Sequence, residues 1–241
     1  MELTELAPAP TDGRVFTDDA RAGLGDVDPS GRVRLDALAR WLQDAAFDDL
    51  VDSGLSDDGV WVVRRLRLRV ERFPRFREAA AVDTWCSGAG SLWAERRSTV
   101  RGEHGGRVEA VALWVHLDAE GNRPRPVPDG FAEVYGPSAG GRRVRARLRH
   151  RGAPPEGADR LAWRFRAADL DLARHINNAV YWQALEEHLD ADGGAPEPLD
   201  AEIEHRAPGD VGEAAILREG QSLWIAGPAQ SVLATLFVPS L

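Results

Sequence analysis

The chain contains no lysine and almost no sulfur, and these gaps exclude several kinds of protein. All 30 basic residues are arginine, and the 241 residues include one cysteine, Cys86, and one methionine. A single cysteine cannot form an internal disulfide and excludes a cysteine-rich metal site. Its strand-like surroundings predict a small, buried apolar side chain. We therefore expect a protein without disulfides, metal or cofactor.

Long apolar runs and excess positive charge are missing as well. No apolar run approaches about 20 residues, the length that crosses a membrane. The net charge of −9 argues against general nucleic-acid binding. The first ten residues have neither the basic region nor the apolar core of a secretory signal. These observations predict a soluble, cytoplasmic protein that binds neither nucleic acid nor membrane.

The arginines are concentrated in two clusters, residues 64–69 and 142–151, in which nearly every second residue is basic. Charge with a period of two is typical of the solvent face of a strand. A docking surface for an acidic partner is the second interpretation, because basic side chains on one face attract negative charge.

The first half of the chain has the pattern of one helix followed by strands. Apolar residues recur at three- and four-residue spacing between Leu35 and Leu50, which predicts a long amphipathic helix that ends near Gly54. After Gly59 the period changes to that of strands. The predicted strands are residues 60–70, 79–85, 91–101 and 107–118. This order is typical of an α+β unit whose antiparallel sheet curls around the helix.

The second half repeats this plan in shorter form. Stretches rich in proline and glycine at residues 124–128 and 136–141 place the boundary near 137, which gives domains 1–136 and 137–241. The predicted elements of the second domain are a strand at 160–166, a polar loop at 169–178, a helix at 179–189, and strands at 199–206, 213–218, 222–225 and 232–238. A domain of about 100 residues buries little surface, so we expect it to pack against the first.

The polar loop at residues 169–178 is the most informative stretch. It holds two carboxylates, an imidazole and two carboxamides in ten residues that end where a helix begins. Packing alone does not account for that density of polar groups. The same spacing of two aspartates, Asp26 and Asp28, precedes the first helix without the histidine or the asparagine pair. One unit therefore occurs twice, and the chemistry is expected in the second copy, while Asp26 and Asp28 are assigned to structure.

These features resemble the acyl-acyl carrier protein thioesterases, with the chain as a bacterial relative of the plant-type fatty acyl enzymes. The resemblance covers about residues 14–210 and includes the Asp-x-Asp-x-x-x-His-x-Asn-Asn motif of the loop and Tyr181. The matching segments of the first half are residues 31–35, 41–46, 64–66, 72–74, 84–85, 114–118 and 123–126.

The resemblance implies two tandem hot-dog units, each a long helix wrapped by a curved antiparallel sheet. It also implies that the N-terminal unit holds a fatty acyl chain between helix and sheet. The implied reaction is metal-free hydrolysis of a fatty acyl thioester carried by acyl carrier protein. Acyl-CoA is the alternative carrier, and a homodimer of the paired units is an open alternative to the monomer.

Asp171 and His175 are the candidate catalytic residues. Thioester hydrolysis needs an activated water and stabilisation of the negative charge that develops on the carbonyl oxygen. A carboxylate acting as general base accelerates such a step by roughly 10²–10⁴-fold, and N–H groups at a helix start can polarise the carbonyl. We expect Asp171 to be the base and His175 to hold the water or donate to the oxyanion. Asn177 and Asn178 are candidate supporting residues, of which at least one is expected to cap the helix, and Asp169 is assigned to structure.

The chain departs from the family pattern at two positions. Ala173 stands where the plant-type pattern has asparagine, and Ala207 or Pro208 stands where it has glutamate. The nearby polar residues that could replace them are Glu204, His205 and Asp210. Strand alternation predicts that Glu204 faces solvent. These departures keep a non-catalytic acyl-binding or regulatory hot-dog protein open as an alternative. A hot-dog hydratase or dehydratase is a third alternative, because it shares the fold and a polar loop that contains a histidine.

Overall fold

The computed structural model describes residues 2–55, 57–121, 123–191 and 193–239. Its strands are β1 (Phe16–Arg21), β2 (Val60–Arg72), β3 (Ala79–Ala89), β4 (Trp93–Gly102), β5 (Arg107–Leu117), β6 (Asp159–Phe165), β7 (Leu199–His205), β8 (Gly212–Glu219), β9 (Ser222–Ala226) and β10 (Val232–Phe237). Its α-helices are α1 (Leu35–Asp52), α2 (Phe131–Ala139) and α3 (Gln183–Ala191). Within these residues, no helix has the length and apolar content needed to cross a membrane.

All ten strands form one antiparallel sheet in the order β1-β3-β4-β5-β2-β7-β10-β9-β8-β6. The two halves of this order are equivalent, because one strand precedes each long helix (β1 before α1, β6 before α3) and four strands follow it, in the same spatial arrangement. The halves meet where β2 pairs with β7, from Arg65 opposite Glu204 to Val70 opposite Leu199. The α+β fold predicted from the sequence is confirmed.

One face of the sheet carries the helices and the hydrophobic core. Helix α1 buries Leu35, Leu38 and Leu42 there, and α3 buries Leu185 and Leu189. These side chains belong to one continuous cluster that includes buried residues from the strands of both halves. The apolar spacing that predicted α1 therefore gives the side of the helix that meets the sheet.

The opposite face is covered near the centre by two segments that are distant in sequence. Arg65 is 3% exposed and donates to the carbonyl oxygen of Arg147 at 2.8 Å, and Arg97 donates to that of Ala7 at 2.8 Å. The prediction that residues 64–69 form a solvent face is wrong for Arg65, because residues 142–151 lie over it. In that covering segment, Arg143 and every second residue up to Arg149 are exposed, as the period-two pattern predicts.

Three local features differ from the sequence predictions. Strand β1 was not predicted, because its sequence is mostly polar and it pairs along the edge of the sheet with β3 alone. Helix α2 was not predicted, since Gly136 and Pro137 are poor helix residues. The second long helix begins with a 3₁₀ turn, Asn178–Trp182, before α3.

Helix α2 packs near the end of α1 and completes the core around Cys86. Phe131 and Tyr135 of α2 form a second buried cluster with Cys86 and Ala94. Cys86 is 2% exposed, and burial raises the pKa of its thiol. The predicted burial of this cysteine is confirmed, and the raised pKa makes the thiol a poor nucleophile.

Candidate active site

The polar loop folds into a tight turn that is built around Asp171. The Oδ1 atom of Asp171 accepts the backbone N–H of Ala173 at 2.9 Å and that of His175 at 3.3 Å. The N–H of Asp171 donates to the carbonyl oxygen of His175 at 2.9 Å, and Arg174 has a positive φ of 62°. The turn leaves the side chain of His175 exposed and that of Asp171 half-buried.

The same turn occurs in the first half, as the two pairs of aspartates predict. Asp28 Oδ1 accepts the N–H of Ser30 at 2.9 Å and that of Arg32 at 3.1 Å, and Gly31 has a φ of 81°. The N–H of Asp28 donates to the carbonyl oxygen of Arg32 at 2.9 Å. An aspartate thus stabilises the turn in both halves, and the halves differ mainly in the side chain at its end, Arg32 or His175.

The residues that flank the turn fix its position at the start of the helix. Asp169 is buried and its Oδ2 accepts the N–H of Arg166 at 2.7 Å, while its carbonyl oxygen accepts the N–H of Asn177 at 2.9 Å. The side chain of Asn177 caps the 3₁₀ turn by accepting the N–H of Ala179 at 2.9 Å. The expected capping role is confirmed for Asn177, and the structural position of Asp169 agrees with its assignment.

The opposite helix completes this arrangement in the first half. Glu186 of α3 accepts the N–H of Leu35, the first residue of α1, at 2.6 Å, and it pairs with Arg32 at 2.5 Å. A carboxylate from one half therefore occupies the helix start of the other. Residues separated by the same number of positions as Arg32 and His175 are equivalent in the two halves. Leu35 therefore corresponds to Asn178, and Gln43 corresponds to Glu186. In the second half the equivalent of the carboxylate is the neutral side chain of Gln43.

Asn178 and Gln43 both line a cavity between α1 and the sheet. In this structure the cavity is narrow, with a free volume of about 20 Å³, so its side chains must move apart to admit a larger molecule. The other lining residues are Ala39 and Leu42 of α1, Val63 and Leu66 of β2, Arg96 and Ser98 of β4, Ala110, Ala112 and Trp114 of β5, Ala179, and His205 of β7. The walls are mainly apolar, and the polar residues among them are Gln43, Arg96, Ser98, Asn178 and His205.

Two domain families cover this arrangement of turn, helix and cavity. The chain matches the acyl-ACP thioesterase N-terminal domain over residues 13–135 and the acyl-ACP thioesterase C-terminal domain over residues 153–219. The chain belongs to the acyl-ACP thioesterase family. It is therefore a thioester hydrolase, and the predicted family is confirmed.

Individual relatives of this thioesterase are distant. An uncharacterized protein of Mycobacterium tuberculosis strain H37Rv is 26% identical over 217 residues, which are 90% of this chain and 86% of that protein. The oleoyl-acyl carrier protein thioesterase 1 of Arabidopsis thaliana is 23% identical over 188 residues, or 65% of this chain and 49% of that protein.

Solved structures of similar fold include the 12:0-ACP thioesterase from Umbellularia californica, with a TM-score of 0.72 and 19% identity over 93% of this chain and 92% of that one. An acyl-ACP thioesterase from Bacteroides thetaiotaomicron has the same TM-score and 18% identity over 93% of this chain and 96% of that one. At these identities the likeness shows the fold alone.

His205 contributes an imidazole to the lining of the cavity, whereas Asp171 and His175 are not among the lining residues. It is 6% exposed, its ring lies 5.2 Å from that of Tyr181 in an edge-on arrangement, and its Nε2 has no hydrogen-bond partner among the described residues. Burial, with a smaller effect from the nearby charge of Arg64, lowers the pKa of His205 to about 3. His205 is therefore neutral at physiological pH, and the sequence pattern suggested it only as a possible replacement for a missing polar group.

Glu204 does not lie with these residues. Strand alternation puts Ile203 and His205 on the helix face and Glu204 on the other face. The residue is fully buried, and its carboxylate accepts the N–H groups of Arg149 at 2.6 Å and His150 at 3.0 Å. The prediction that Glu204 faces solvent is wrong, because the segment that contains Arg149 covers it.

Glu204 also belongs to a buried group that has the composition of a metal site. One ligand atom each from His150, Glu202 and Glu204 lies within 4.8 Å of the others. However, both carboxylates already accept backbone N–H groups, and Arg65 and Arg206 approach them at 3.9 and 3.2 Å. These partners supply the positive charge that a cation would bring, so the group fits ion pairing better than metal binding.

The sequence pattern missed two residues that the structure places at the cavity, Gln43 and Arg96. The sequence repeat could have identified Gln43, because its equivalent in the second unit is Glu186 on the other helix. The sequence could not have identified Arg96, because an arginine in a strand of alternating polarity is usually exposed.

Proposed function

We propose that the protein hydrolyses a fatty acyl thioester of acyl carrier protein to a free fatty acid and the carrier thiol. The acyl chain occupies the cavity between α1 and the sheet, and the thioester lies at the start of the 3₁₀ turn at Asn178. Burial of each methylene group stabilises the bound chain by about 0.8 kcal/mol, so a fatty chain has ample binding energy.

This proposal rests on a comparison with the start of the first helix, where a carboxylate oxygen accepts a backbone N–H. In the first half, the N–H of Leu35 donates to a carboxylate oxygen of Glu186. In the second half, the N–H groups of Ala179 and Val180 are bonded to Asn177, and Asn178, the equivalent of Leu35, lines the cavity. With Gln43 in place of the glutamate, the carbonyl oxygen of a thioester can take the position that the carboxylate occupies in the other half.

The chemical step uses the residues of the turn. The carboxylate of Asp171 takes a proton from water, and the water oxygen attacks the carbonyl carbon. The negative charge that develops on the carbonyl oxygen is stabilised by the N–H of Asn178, with His175 positioned to hold the water or donate to the oxygen. The C–S bond then breaks, and the thiolate leaves with the proton that Asp171 had accepted.

The choice of carrier rests on charge. Arg143, Arg145, Arg147 and Arg149 form an exposed basic row in a chain whose net charge is −9. Such a row favours an acidic carrier protein by charge complementarity. We propose a cytoplasmic reaction, with domain 1–136 holding the acyl chain and domain 137–241 supplying the catalytic turn. Acyl-CoA is the alternative carrier.

Thiol release from acyl carrier protein and from acyl-CoA, measured over a range of chain lengths, tests the function. We expect Asp171→Asn to lower turnover at least tenfold, because an amide cannot accept the proton from water but still accepts the N–H groups of the turn. Asp28→Asn makes the same change in the equivalent turn and should retain most of the activity.

Wild-type turnover in Asp171→Asn would assign the base to another residue. Equal losses in Asp171→Asn and Asp28→Asn would mean that both act through the turn geometry. If the wild-type chain released no thiol from either carrier at any chain length, the hydrolase proposal would be wrong.

A further inference from the structure

The acyl cavity contains a buried charged group on β4. The guanidinium of Arg96 lies within 2.6 Å of the Asp49 carboxylate and stacks over the ring of Tyr135, with 5.4 Å between the guanidinium carbon and the ring centre. Tyr135 donates its hydroxyl to the same carboxylate at 2.9 Å, and Arg14 pairs with Asp49 at 2.6 Å. The Asp49 side chain is 1% exposed. Helices α1 and α2 and strand β4 thus fix the guanidinium in one place.

The charge on Arg96 is permanent. Burial opposes ionisation, but the Asp49 carboxylate outweighs it and raises the pKa of Arg96 above its usual value. The side chain is 12% exposed and lines the cavity, so part of it faces the space that the chain would fill. A methyl group that met this guanidinium would replace its polar surroundings with hydrocarbon, which is unfavourable.

The register of the sheet gives the distance from Arg96 to the catalytic end. Arg96 lies opposite Ala112 of β5, Ala112 opposite Leu66 of β2, and Leu66 opposite Ile203 of β7. Three strand spacings separate β4 from β7, which is about 14 Å. His205 of β7 lines the catalytic end of the cavity, two residues beyond Ile203, and this step along the strand lengthens the distance to about 16 Å.

This distance corresponds to a short hydrocarbon. A C–C bond of about 1.52 Å with an angle of about 111° advances an extended chain by about 1.25 Å per carbon, so about 16 Å holds about thirteen carbons. The Arg96 side chain itself occupies part of that length. The wall between the two ends is apolar, with Leu66, Ala110 and Ala112 among its residues.

A longer chain would have to displace Arg96 from Asp49. Each further buried methylene improves binding by about fourfold. Separating a buried ion pair costs a factor of about 10² to 10³, because it leaves charge without its partner. Two additional carbons therefore do not compensate for the loss of the Arg96–Asp49 pair.

We propose that Arg96, held by Asp49 and Tyr135, closes the acyl cavity and restricts the substrate to chains of about eight to twelve carbons. This inference rests on the proposed function, since it assumes that the thioester lies at Asn178. Arg96 and Asp49 are specificity-determining residues and take no part in the chemical step.

The test is the chain-length profile of kcat/KM, measured with acyl carrier protein substrates from six to eighteen carbons. The double variant Arg96→Met with Asp49→Asn removes both charges, while the amide still accepts hydrogen bonds from Tyr135 and Arg14. We expect its optimum to move at least four carbons upward and its kcat/KM for sixteen carbons to rise at least tenfold. Ala112→Leu, which adds volume beside Arg96, should move the optimum to shorter chains.

The matched control lies one residue further along the same strand. Arg97 pairs with Glu109 at 2.7 Å on the opposite face of the sheet, and its side chain is 5% exposed. The double variant Arg97→Met with Glu109→Gln removes an equivalent ion pair without touching the cavity. It should lose stability and keep the wild-type profile, which separates a change of cavity length from general loosening of the fold.

The outcomes are distinguishable. Thiol release at some chain length, with the same profile in the wild type and in both Arg96 and Ala112 variants, would overturn the assignment of Arg96 and leave the hydrolase proposal intact. A wild-type optimum at sixteen or eighteen carbons would do the same. A wild-type preference for chains that end in a hydroxyl or carboxylate would make Arg96 a ligand for a polar group and would also overturn it. Absence of release at every length would reject the proposed function itself.

Discussion

His205 illustrates how one buried residue can couple the stability of the site to pH. Its pKa of about 3 in the folded protein is far below the usual value of about 6.5 for an exposed imidazole. Between these pH values the unfolded chain binds a proton that the folded chain does not. The folded state is therefore favoured above pH 6.5 and loses stability as the pH falls from 6.5 toward 3.

His205→Gln should remove this contribution. We expect its free energy of unfolding to depend less on pH than that of the wild type, by about 1.4 kcal/mol per pH unit between about pH 6 and pH 4. Urea unfolding in that range measures the difference. His104→Gln, at an exposed histidine in the turn between β4 and β5, is the control and should leave the slope unchanged. Parallel curves for the wild type and His205→Gln would show that His205 is protonated in the folded state.

At the scale of elements, the two helices exchange polar contacts across the junction of the halves. Glu186 of α3 occupies the start of α1, whereas the start of the second helix faces Gln43 of α1. The exchange is asymmetric because one helix carries a carboxylate and the other an amide. We infer that this difference keeps the second helix start available to a substrate.

Gln43→Glu should therefore close the site. The new carboxylate can accept the N–H of Asn178 as Glu186 accepts that of Leu35, and it would compete with the thioester oxygen. We expect turnover to fall at least tenfold and thermal stability to stay the same or increase. Gln221→Glu, outside the cavity, is the control. Full turnover in Gln43→Glu would mean that the thioester does not bind at this helix start.

The sequence predicted those elements whose residues face the core. Apolar spacing located α1 and nine strands, and the repeated aspartates located both turns. The sequence did not predict the surroundings of Arg65, Glu204 and Arg96, because the segments that cover a strand face are distant in the chain. The alternation of Glu204 with apolar residues gives its face correctly, but it does not show that Arg149 and His150 lie over that face.

At the scale of the whole molecule, the two halves share one sheet and one core. Strands β2 and β7 pair along six residues on each side, and the buried cluster includes Leu38 of α1 and Leu185 of α3. If one half unfolded alone, it would expose the edge of the other half's sheet and part of its core. Both changes are unfavourable, so we expect the halves to unfold together.

Leu38→Ala and Leu185→Ala test this coupling as a matched pair, one in each half. Each side chain is 0% exposed, and its truncation should lower stability by about 2–5 kcal/mol. In a protein of this size, that corresponds to a decrease in Tm of about 5 to 20 °C. Because the halves unfold as one unit, each variant should retain a single calorimetric transition that coincides by tryptophan fluorescence and far-UV circular dichroism. If Leu185→Ala instead produced an early transition confined to one probe while the remainder melted at the wild-type temperature, the second half would be an independent folding unit, and the β2–β7 pairing would be a contact between domains rather than part of a shared core.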